Sequence, residues 1–114
     1  LKPILVNNSE NRQRKIINEY AEKNIQAANL EDLANILGYS AAYTGRLVKK
    51  LTGRSFSRFI QDKRCDKAAQ LLLDTDLPIS EIIDDVGYKN ESFFRLIFKE
   101  RFGKNPLEYR KKDY

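Results

Sequence analysis

A chain of 114 residues, 41% apolar and 32% charged, suits one compact domain or two very small subdomains, and is too apolar to be disordered. Its net charge of +5 favours a polyanionic partner, nucleic acid or an anionic membrane surface. Cys65 is the only cysteine and histidine is absent, which excludes an internal disulfide and zinc sites of the usual Cys/His kind.

In chain order, residues 1–8 read as a linker or tail. Ser9 is expected to cap a helix to about Lys23, with Ile16, Ile17, Tyr20 and Ala21 as its buried stripe. After a loop, Asn29 caps a short helix that stops at Gly38, and Ser40 caps a second, Ala41 to Thr52, stopped by Gly53. Ser55 then opens a long helix to about Leu73, with apolar residues at helical spacing and no Gly or Pro inside it. At 1.5 Å per residue, about 19 residues span roughly 28 Å. Thr75 to Pro78 turn the chain, and Pro78 suits the first position of a helix ending at Gly87. Asn90 caps a helix from Glu91 to Phe102, and Gly103 ends it. Asn105, Pro106 and Glu108 form the cap, first-turn proline and capping box of a last helix to about Lys112. No strand alternation occurs, so the expected fold is all-α with seven helices.

The flanks of the long helix can be laid over one another. Leu30, Leu33, Leu37, Gly38 and Tyr39 fall on Ile79, Ile82, Val86, Gly87 and Tyr88. One extra residue near Lys89 shifts the register, and Tyr43, Leu47, Val48, Lys49 and Gly53 then fall on Phe93, Ile97, Phe98, Lys99 and Gly103. The reading is a duplicated unit, 9–54 and 75–114, with 55–74 as a linker helix between the copies. Each copy is a short helix, a Gly-containing turn and a second helix, the helix-turn-helix pattern, with Ala34 small where the first pair of helices crosses.

The second helices carry the candidate chemistry. Thr44, Leu47, Val48 and Leu51 form the inward face of the first, which leaves Ala41, Ala42, Gly45, Arg46 and Lys49 outward. Small residues would let that face approach the floor of a major groove, where Arg46 can bond a guanine edge and Ala41 or Ala42 can touch a thymine methyl. In the other copy Phe94, Ile97, Phe98 and also Phe93 are expected inward, with Glu91, Ser92, Arg95 and Lys99 outward. Arg95 is the candidate base reader there, with Ser92 and Glu91 beside it. Ser40, Lys49, Lys50, Arg54, Arg58, Asn90, Lys99, Arg101 and Lys104 are candidates for the phosphate backbone of double-stranded DNA. Two such helices held about one helical turn apart could enter successive major grooves.

These stretches resemble the AraC/XylS family of bacterial transcription regulators over essentially residues 9–112. The carrying segments run from Leu30 to Arg64 and from Ile79 to Arg110, with Gly87, Tyr88, Phe94, Phe98, Lys99, Phe102, Gly103, Pro106 and Tyr109 in matching places. The resemblance implies a DNA-binding domain of two helix-turn-helix subdomains and base-reading positions at Ala42, Gly45, Arg46, Glu91, Ser92 and Arg95 or Leu96. It also implies a separate N-terminal part that senses an effector or signal, and contact with RNA polymerase if the regulator is an activator. Ile83 stands where the family commonly has a small alanine, and Leu96 where it often has arginine.

No apolar run near 18 residues and no signal peptide is present, so a soluble, cytoplasmic protein that uses no membrane is expected. Methionine is absent and Leu1 comes first, which reads as a domain cut from a longer protein, monomeric in isolation. An alternative reading is a helix-turn-helix-like module that binds protein; the basic second helices argue against it. An enzyme is the least expected class, since no nucleophile elbow, P-loop or cofactor motif occurs and Cys65 lies mid-helix without a histidine partner.

Overall fold

The computed structural model describes residues 8–111. The linker expected at the start of the chain, up to residue 7, lies outside those residues, and the last helix, expected to about Lys112, ends at Arg110 with Lys111 as its C-cap. Seven helices and no strand occur among them: α1 (Asn8–Lys23), α2 (Leu30–Leu37), α3 (Ala41–Thr52), α4 (Phe56–Asp74), α5 (Ile79–Asp85), α6 (Glu91–Phe102) and α7 (Pro106–Arg110). The all-α fold expected from the spacing is the fold observed.

Most boundaries follow from side chains that satisfy orphan backbone N–H groups. The side chains of Asn29, Ser40, Asn90 and Asn105 accept from the N–H of Asp32, Tyr43, Phe93 and Glu108, three residues on in each case. At α7 the box closes, because Glu108 accepts in return from the Asn105 N–H at 3.0 Å. Other boundaries differ from expectation. α1 begins at Asn8, so Ser9 lies inside the first turn and does not cap it. Pro78 sits one place earlier than expected, at the N-cap of α5, with ψ at 144° before the helix starts. α5 also stops early, at Asp85; Val86 and Gly87 turn, and Tyr88 N–H closes back on Ile83 O at 3.1 Å. Gly87 has φ of 103° and Gly38 has φ of 78°, conformations that L side chains rarely adopt.

The chain divides into two compact units, one ending at Gln61 and the other starting at Asp62, so the boundary falls within α4. In the first unit, Ile17, Tyr20 and Ala21 of α1 pack with Leu33, Val48, Phe59 and Ile60. The Tyr20 hydroxyl donates to Asn29 O at 3.1 Å and accepts from Asn29 N–H at 2.9 Å, which pins the entry to α2. Ala34 is 3% exposed, as a helix crossing requires. In the second unit Cys65, Ala68 and Leu72 of α4 pack with Ile82, Ile83, Val86, Phe94 and Phe98. Burying each of those phenylalanines stabilises the unit by about 1.5–3 kcal/mol. Arg110 donates to Leu72 O at 3.0 Å and Thr75 O at 3.2 Å, filling carbonyls at the end of α4 that have no helical partner.

Candidate nucleic-acid interface

α3 turns Thr44, Leu47 and Val48 inward. The buried Thr44 hydroxyl donates to Ser40 O at 2.8 Å, so the core carries no unsatisfied group there. The opposite side leaves Ala42, Arg46 and Lys49 exposed and Ala41 and Gly45 half-buried. A β-carbon added at Gly45 would meet only the tip of Leu30, at 3.6 Å, an ordinary contact. Packing therefore does not demand glycine at that place; what its absent side chain does is leave the outer surface low beside Arg46. That surface continues into a shallow, open depression of about 790 Å³, lined by Leu30, by Ala41 to Lys49 on one side of α3, and by Ser55, Phe56 and Ser57. The sequence reading missed Leu30, Phe56 and Ser57, since nothing in their spacing shows that the starts of α2 and α4 border this face.

Arg46 lies with its guanidinium 5.9 Å from the ring centre of Tyr43, and Tyr43 meets Tyr39 edge-on at 4.9 Å. Gln13 donates to the Tyr39 hydroxyl at 3.1 Å. The arginine thus stands beside a braced aromatic pair, a second feature that sequence reading did not use.

On α6, Phe94, Ile97 and Phe98 are inward and Glu91, Ser92, Arg95 and Lys99 are exposed. Phe93 differs from expectation: it is 44% exposed, at the rim against Tyr88 rather than in the core. Arg95 approaches Glu91 of its own helix at 3.7 Å. In the register of the duplication, Arg95 matches Gly45, and Leu96 matches Arg46.

Among the phosphate candidates, Ser40, Lys49, Arg58, Asn90, Lys99 and Lys104 are exposed, and the Ser40 and Asn90 oxygens already serve as helix caps. Three others have intramolecular roles. Lys50 pairs with Glu10 of α1 at 2.9 Å; their hydrogen bond holds the Glu10 carboxyl below its ordinary range and raises Lys50. Arg54 is half-buried in the turn after α3. Arg101 forms a two-pronged contact with Asp66, at 2.8 and 3.0 Å, and approaches Asp62 at 3.4 Å, so it fastens α6 to α4. Cys65 is 1% exposed, and burial pushes its thiol up to about 12. No group of residues suited to holding a metal ion and no helix long and apolar enough to cross a membrane is found among the described residues.

Comparison with known proteins bears on this geometry directly. The family model described as a helix-turn-helix domain matches residues 33–112. The chain is 31% identical over 93 residues to the regulatory protein SoxS of Salmonella typhimurium, covering 81% of this chain and 87% of that protein. It is 33% identical to the bifunctional transcriptional activator/DNA repair enzyme AdaA of Bacillus subtilis over 83% of this chain, but spans only 46% of AdaA. A solved transcriptional regulator from Chromobacterium violaceum, described as having an AraC-type DNA-binding domain, superposes with a TM-score of 0.84 at 25% identity, over 93% of this chain and 96% of that one. The chain belongs to the AraC/XylS family of helix-turn-helix regulators. In this AraC/XylS domain α2 with α3 and α5 with α6 are the two helix-turn-helix pairs. The position taken by Ala34 in the first pair is filled in the second by Ile83, which is fully buried.

Proposed function

We propose that this chain is the sequence-specific DNA-binding part of a transcription regulator, with α3 and α6 as the helices that enter major grooves. The observation that carries the reading is the outward face of α3. It joins small residues to Arg46 and Lys49, has no acidic residue along the helix, and is backed by a buried face that fixes its direction. Ala41, Ala42, Gly45 and Arg46 then read bases in the first unit, and the outward face of α6 around Glu91, Ser92 and Arg95 does so in the second. Ser40, Lys49, Asn90, Lys99 and Lys104 hold phosphates, while Lys50 and Arg54 contribute charge from the flank.

In this reading the two helices enter successive major grooves of the duplex. The same reading places the protein in the bacterial cytoplasm, where its DNA is, and pairs it with RNA polymerase where it activates. It includes a sensing part elsewhere in the parent protein, and the domain itself is monomeric. The reading is non-enzymatic, and burial, which pushes the Cys65 thiol up to about 12, speaks against that residue as a nucleophile.

Selection of preferred duplexes from a random DNA pool, followed by titration of the winner against salt, tests the reading. Two short blocks about 10 bp apart, with affinity falling steeply as salt rises, are expected. Failure to enrich any sequence, with binding lost near physiological salt, would refute it in favour of a protein-binding module.

A further inference from the structure

Leu96 is 58% exposed, as large an exposure as any bulky apolar residue has among those described. Its exposed neighbours three and four residues away on α6 are Ser92, Lys99 and Glu100, with Phe93 at the rim against Tyr88. At about 100° per residue, Leu96 stands about 150° from the middle of the buried face formed by Phe94, Ile97 and Phe98, together with Ser92 and Lys99. Arg95 stands only about 105° from that middle, on the side of Glu91, with which it pairs at 3.7 Å. The centre of the outward face is therefore shared by Ser92, Leu96 and Lys99, with Leu96 its one bulky apolar side chain, and Arg95 lies on its flank. The duplication agrees, since Leu96 holds in α6 the place that Arg46 holds in α3.

A leucine has no donor or acceptor, so it cannot replace an arginine on a guanine edge. The apolar feature that a standard base pair presents in the major groove is the C5-methyl group of thymine. We infer that Leu96 is a specificity-determining residue that reads a thymine methyl by apolar contact, with Arg95 beside it on the flank of the same face. The inference rests on the DNA-reading role of α6 proposed above. Lys99 and Ser92, flanking Leu96 on the same face, suit phosphates and base edges, which fits a duplex as the occupant of this face. The two units thereby read different chemistry through equivalent positions: a guanine edge at Arg46 and a methyl group at Leu96.

The test uses the duplex selected by the chain, with each thymine replaced singly by deoxyuridine, which removes only the methyl. One position in the block read by the second unit should weaken binding about fourfold, the value of one buried methyl group. Leu96→Ala, which removes an exposed side chain and should keep the helical circular dichroism, should bind the thymine and uracil duplexes equally. Leu96→Arg should exchange the preference at that base pair for guanine. Indifference to every uracil, or an unchanged uracil penalty in Leu96→Ala, would overturn the inference even with specific binding intact. If no duplex is selected at all, the DNA-reading role itself fails and the inference with it.

Discussion

Where the first unit buries Thr44 and Val48 on its second helix, the second buries Phe94 and Phe98 at the same places. The difference follows from what covers each core. α1 lays Ile17, Tyr20 and Ala21 over the first pair of helices, so small residues on α3 suffice. The second unit has instead only the five-residue α7, which brings Tyr109 to the core, and fills its volume with rings. Phe98 meets Phe94 at 5.6 Å, Phe102 at 4.7 Å and Tyr109 at 5.4 Å. One plan is thus built twice, once with a long added helix and once with a short one and larger side chains. The outward faces diverge as well, with Arg46 beside an aromatic pair on α3 and Leu96 beside an ion pair on α6.

Substitution at equivalent core positions should separate the two units most strongly. Phe98→Ala removes the ring that links α6 to α7 and should cost about 3–5 kcal/mol in urea unfolding, more than Val48→Ala. Equal losses would break the argument that the second core depends on its rings. The reading faces come next. Arg46→Ala should cost about 1–3 kcal/mol at one base pair, whereas Lys49→Ala should weaken all duplexes alike and flatten the salt dependence. A uniform loss from Arg46→Ala would remove the contrast with Leu96.

The second core also holds Cys65. Its folded thiol is raised from an ordinary value of 9.0 to about 12, so the unfolded chain releases that proton first. Stability should therefore fall as pH rises from about 9 towards 12, by roughly 1 kcal/mol at pH 10 from this group. The difference between wild-type and Cys65→Ala pH profiles isolates the effect; parallel profiles would show that the thiol is not held in a dry core. The smallest change belongs to the first unit. Glu10→Gln breaks only an exposed pair with Lys50, and the denaturation midpoint near neutral pH should not move measurably.

Helix number, the capping residues Asn29, Ser40, Asn90 and Asn105, and the inward places of Thr44, Leu47 and Val48 on α3 and of Phe94, Ile97 and Phe98 on α6 were legible in the chain itself. Each depends on residues three or four apart, and such contacts are set by local backbone geometry. The duplication was legible for the same reason, because equivalent turns need equivalent glycines and apolar positions. Only the tertiary structure decided what long-range neighbours do with a residue of known type. It assigned Arg101 to Asp66 and Lys50 to Glu10, and it brought Leu30 and Phe56 beside Arg46. It also left Phe93 at the rim with Tyr88. A cation's partner is chosen by the element packed against it, often tens of residues away, and local periodicity carries no record of that choice.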